Sequence, residues 1–66
     1  MTNDSELTPR IGRVARRELT NHGLRTYPDL PRVSAGELLR IHGVGPKAIR
    51  ILTEELAARD LAFLDG

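Results

Sequence analysis

Glycine and proline set the grain of this sequence. Four prolines and six glycines fall among 66 residues, and Gly23, Pro31, Gly43 and Pro46 divide the chain into segments that suit only short helices. Thr8-Pro9 marks a helix start, with Thr8 as N-cap and Pro9 at the first helical position. The helix is expected to run to about His22, bury Ile11, Val14, Ala15 and Leu19, and stop at Gly23. Thr26-Tyr27-Pro28-Asp29-Leu30 reads as a single turn stopped by Pro31. Ser34-Ala35-Gly36-Glu37 has the spacing of a capping box, in which Ser34 caps the backbone and Glu37 reaches back. The short helix after it carries Leu38, Leu39 and Ile41 and ends at Gly43. A last helix starts at Pro46, runs to about Arg59 and turns Ile49, Leu52 and Leu56 inward. Leu61, Phe63 and Leu64 are expected to fold back over the core. No segment alternates as a strand would. The expectation is an all-α, compact domain of four to five helices over residues 8–66, preceded by a disordered tail at 1–7. Beginning at Met1, the chain reads as one whole small protein.

A domain of this size buries a modest core. There is no cysteine to support it, and two histidines are too few for a metal cage. No apolar run approaches a membrane span, and the polar, acidic start is no signal peptide, which points to the cytoplasm. The net charge of +1 conceals an uneven distribution. Residues 10–50 hold nine cations against three carboxylates, a net of +6, while residues 1–9 carry −2 and residues 51–66 carry −3. A basic body between acidic ends suits a polyanionic partner.

The most specific string is Gly43-Val44-Gly45-Pro46-Lys47-Ala48. Gly43 can take positive φ where a helix ends. Val44 pins the bend to the core. Gly45 has no side chain, so an anion can approach its backbone N–H. Pro46 favours the first helical turn and gives up a donor that would be unpaired there. The N–H groups of Gly45, Lys47 and Ala48 then carry partial positive charge at a helix start. Lys47, the one lysine beside nine arginines, adds a mobile full charge. Arg40, His42 and Arg50 could flank the same path.

A second arrangement reinforces the first. At 100° per residue, Arg16, Arg13, Arg17 and Arg10 share an arc of about 120° on helix 1, away from its apolar stripe. A weak repeat also links the two regions: Ile11-Gly12-x-x-Ala15-x-x-x-Leu19-Thr20 matches Val44-Gly45-x-x-Ala48-x-x-x-Leu52-Thr53.

The stretch from Leu38 to Ala48 resembles the helix–hairpin–helix motif. From Gly23 to Leu64 the chain is similar to the C-terminal domain of the bacterial RNA polymerase alpha subunit and its stand-alone relatives. That similarity is carried by Gly23-Leu24-Arg25-Thr26, Asp29-Leu30, Ser34, Glu37-Leu38-Leu39, Gly45, Lys47 and Leu52. Helix 1 aligns without gaps. The resemblance implies a compact helical fold that meets the DNA minor groove and backbone with its first long helix and its hairpin. Where that domain inserts an arginine into the groove, this chain has Val14, with Arg13 and Arg17 nearby. The small residue near the start of the last helix is Ala48, with Ile49 after it, which suits the polymerase-like branch better than the DNA-repair branch.

The expected function is non-catalytic, largely sequence-independent binding of double-stranded DNA. Backbone groups at Gly43, Val44, Gly45 and Ala48, with Lys47 and Arg50, would hold one phosphate path, and Arg10, Arg13 and Arg17 another. No cofactor or metal is implied, and no nucleophile–base pair, carboxylate pair or metal cluster suggests an enzyme. Two aromatic residues, Tyr27 and Phe63, offer little for stacking on single strands. The alternative is a protein–protein interaction module on the same fold, using an apolar strip of Ile51 and Ala58 on the far side of the last helix.

Overall fold

The computed structural model describes residues 6–64, and within them the chain is all-α, with no strand. The element order is a 3-10 turn at Pro9–Ile11, helix α1 at Arg13–Asn21, a 3-10 helix at Tyr27–Arg32, helix α2 at Ala35–Leu39 and helix α3 at Pro46–Ala57. No helix among these residues is long and apolar enough to cross a membrane.

The expected first helix is broken in two. Thr8 caps as its sequence suggests, its Oγ1 accepting the Arg10 N–H, but it caps only the Pro9–Ile11 turn. Gly12 then adopts φ 99° and ψ 154°, outside the range of ordinary L-residues, and becomes the N-cap of α1. The reason is the packing of the 3-10 turn against α3, which a continuous helix would not allow. The break also gives the sequence repeat a structural counterpart. Arg13, the first residue of α1, and Pro46, the first of α3, stand at equivalent repeat positions after Gly12 and Gly45, and neither glycine offers a side-chain cap.

Helix α1 ends with Gly23 at φ 80°, the Leu24 N–H donating to Leu19 O at 2.8 Å across the turn. Helix α3 closes the same way, the Leu61 N–H donating to Leu56 O at 2.8 Å, but with Asp60 at φ 60° in the glycine position. Ser34 Oγ accepts the Glu37 N–H at 3.2 Å and starts α2. Among the described residues no return bond from the Glu37 side chain completes that capping box. In the Tyr27–Arg32 segment, Asp29 Oδ2 accepts the Thr26 hydroxyl at 3.0 Å and the N–H groups of Thr26 and Arg25 at 3.1 and 3.2 Å. These bonds, the Thr26 hydroxyl's first, hold the Asp29 carboxyl below its ordinary range.

The largest fully buried side chains are Tyr27, Leu19, Leu30, Leu38, Leu52 and Leu56. Four expectations are corrected. Leu7 is buried in the core and Glu6 forms a bridge with Thr26, so these two residues belong to the domain and not to a disordered tail; residues 1–5 of that tail lie outside the described residues. Val14 is 44% exposed, not part of the buried stripe, because it leans toward the Gly43 bend. Leu64 is exposed, although Leu61 and Phe63 do pack on the core. Ile51 is only 7% exposed, on a helix that the Pro9–Ile11 turn packs against. Its strip with the exposed Ala58 is therefore not a free apolar surface.

Candidate nucleic-acid interface

The Gly43–Gly45 bend takes its shape from both neighbouring helices. Gly43 has φ 88°, and a Cβ built on it would stand 2.5 Å from Val14 Cγ1 and 3.7 Å from Glu18 Cγ. The bend and α1 are therefore in direct contact, with the backbone of one against side chains of the other. Val44 is buried, as expected, but its N–H donates to Ile41 O at 3.1 Å, which corrects its expected place among the backbone groups open to phosphate. Gly45 is extended at φ −112°, and a Cβ there would meet nothing within 4 Å. That open space is what a close-approaching anion needs.

The state of the amides determines what the bend can do. The carbonyl of Gly45 accepts the Ile49 N–H at 3.1 Å and starts the α3 ladder. Among the described residues, the N–H groups of Gly43, Gly45, Lys47 and Ala48 make no backbone or side-chain hydrogen bond. As residues, Gly43 and Lys47 are exposed and Gly45 is half-buried. Ala48 is 5% exposed and turns its methyl into the core. Its side chain is a packing group, and Ala48 is the most buried of the four residues.

The cations divide into two groups. Arg13, on the first turn of α1, and Lys47, on the first turn of α3, are exposed, and among the described residues neither has an ion-pair partner. Arg17 stands 3.9 Å from Glu18, and Arg50 stands 4.0 Å from Glu54. Pairs so long and exposed contribute little and exchange readily for another anion. Arg10 is placed differently from the expected helix-1 arc. It lies on the 3-10 turn, 3.7 Å from Glu55, and joins Lys47, Arg50, Ile51 and Glu54 around a shallow surface depression. Arg16 is drawn aside, 3.9 Å from Glu6.

The structure thus brings Arg10, Lys47 and Arg50 together and sets the α1 turn carrying Arg13 and Arg17 beside the bend. Three contributors did not show in the sequence reading. Val14 and Glu18 brace Gly43, and no local signal marks them. Glu55 was detectable in principle, because it stands four residues before Arg59 and bonds to it at 2.9 Å. No family model, curated protein or solved structure matches the chain.

Proposed function

We propose that this chain binds double-stranded DNA through its phosphate backbone, largely independent of sequence, as a small helix–hairpin–helix domain of the RNA polymerase alpha C-terminal-domain type. The unpaired N–H groups of Gly43, Gly45 and Lys47 and the Lys47 ammonium receive one phosphate. Arg10 and Arg50 extend that contact along α3, and Arg13 and Arg17 reach the neighbouring stretch of backbone from α1. One observation carries the reading: the backbone donors of Gly43, Gly45 and Lys47 have no partner among the described residues, Gly45 has open space beside it, and Lys47 at the start of α3 shares a depression with Arg10 and Arg50. A phosphate satisfies those donors and neutralises those cations together. No array of amide or guanidinium groups is set to read base edges, so positioning contacts dominate.

Fluorescence anisotropy with a labelled duplex tests the proposal. The expected Kd is in the range of about 10⁻⁴–10⁻⁶ M, and with about four to six phosphates neutralised it weakens roughly 10²- to 10³-fold between about 50 and 200 mM salt. Lys47→Glu weakens binding and flattens that salt slope. Binding that ignores salt, or a Lys47→Glu protein that binds as wild type does, would remove the bend from the mechanism.

A further inference from the structure

A ring of contacts runs through Arg10, whose own side chain stays 62% exposed at the depression. Thr8 Oγ1 accepts the Arg10 N–H at 3.2 Å, and the Thr8 N–H donates to Tyr27 Oη at 2.9 Å. The Arg59 guanidinium lies over the Tyr27 ring, 3.9 Å from its centroid. Arg59 donates to Glu55 Oε1 at 2.9 Å, and the other carboxylate oxygen, Oε2, stands 3.7 Å from the Arg10 guanidinium. Tyr27 is fully buried, so the ring is anchored in the core.

Glu54 and Glu55 are adjacent carboxylates in different situations. The Glu54 side chain is 60% exposed and meets Arg50 at 4.0 Å. The Glu55 side chain is 27% exposed and divides its two oxygens between two arginines. We infer that Glu55 is a positioning residue that, with Arg59 and Tyr27, presets Arg10 in the phosphate-binding surface, whereas Glu54 only competes with phosphate for Arg50. The inference rests on the double-stranded DNA reading above. Two physical terms oppose each other at Glu55. Its charge draws on Arg10, which weakens binding. Its geometry removes rotamer freedom that Arg10 would otherwise lose on meeting a phosphate, which strengthens binding. The second term wins because Arg59 keeps Glu55 satisfied when Arg10 turns to a phosphate, so the transfer leaves no carboxylate stranded.

The test is a contrast of sign, because charge alone makes removal of either carboxylate favourable to a polyanion. Duplex affinity is measured at low salt for wild type, Glu54→Gln, Glu55→Gln, Arg10→Gln and the Arg10→Gln/Glu55→Gln double variant. Glu54→Gln is expected to bind about two- to fivefold tighter, the scale of one exposed ion pair. Glu55→Gln is expected to bind weaker by about the same factor, and the double variant no weaker than Arg10→Gln alone. Tyr27→Phe keeps the aromatic ring but drops the Thr8 bond, and it also binds weaker. Glu55→Gln binding tighter, as Glu54→Gln does, overturns the inference. Failure of wild type to bind duplex overturns the DNA reading instead. In that case the amide spectrum of the free protein judges the ring: Glu55→Gln shifts the Arg10 and Ile11 resonances if the ring holds, and leaves them in place if it does not.

Discussion

Two glycines two residues apart do opposite work at the bend. Gly43 sits at φ 88° with Val14 and Glu18 pressed against the space where a Cβ would go. An alanine there meets both a forbidden conformation and a clash, and Gly43→Ala is expected to cost about 1–3 kcal/mol of stability, read from the thermal midpoint. Adding Val14→Ala relieves the clash but leaves the φ strain, so the double variant recovers only part of the loss. Gly45 is at φ −112°, open to any residue, with nothing near its missing Cβ. Gly45→Ala therefore leaves stability within about 0.5 kcal/mol, yet puts a methyl group where a phosphate must approach. Its expected signature is an unchanged melt with weakened duplex binding. If Gly45→Ala melts normally and binds normally, phosphate does not approach that face. Sequence order alone does not reveal this division of labour, because the residue that makes Gly43 obligatory, Val14, lies on another helix.

At the scale of elements, the two long helices start and stop by shared rules with one substitution. Each follows a glycine without a side-chain cap, and each ends with a six-residue return bond and a left-handed residue. That residue is Gly23 after α1 and Asp60 after α3. Aspartate tolerates the left-handed region better than most residues but less well than glycine. Asp60→Gly is expected to stabilise the fold by about 0.5–1 kcal/mol, raising the urea midpoint with an unchanged slope. A lowered midpoint would mean that the aspartate makes a contact worth more than its strain. The starts at Thr8, Ser34 and Pro46 and the stop at Gly23 were legible because each is a local signal, whereas α2 ends at Leu39, four residues before the expected stop at Gly43. So were the buried Ala15, Leu19, Leu52 and Leu56, which sit on helical stripes. The Gly12 break was not legible. A glycine inside a helical pattern costs a continuous helix only about 1 kcal/mol, and what favours the break is the docking of the Pro9–Ile11 turn on α3. The same docking places Arg10 on the Lys47 side and not on the α1 face.

At the scale of the whole molecule, both ends of the described chain return to one central segment. Glu6 bridges to Thr26, the Thr8 N–H donates to Tyr27, Arg59 stacks on Tyr27, and the Leu64 N–H donates to Val33 O at 2.8 Å. The Tyr27–Arg32 helix is thus clasped from two sides. A chain of this length buries a small core, so each buried side chain is a large share of its stability. Among the described residues, Leu7 is the single core residue before Thr8, and it holds the stretch that carries Arg10. Leu7→Ala is expected to cost about 2–5 kcal/mol, close to the low end of total domain stability at about 5 kcal/mol. The prediction is a thermal midpoint well below that of wild type, or a melt that broadens. Leu64→Ser makes the matched control at the other end. Its side chain is half-exposed and its bond to Val33 runs through the backbone, so the change stays within about 0.5 kcal/mol. Equal melts for the Leu7→Ala and wild-type proteins would mean that the segment before Thr8 is not part of the cooperative unit. The ring that presets Arg10 would then have no fixed base, because the Thr8–Tyr27 bond depends on Leu7 keeping that segment on the core.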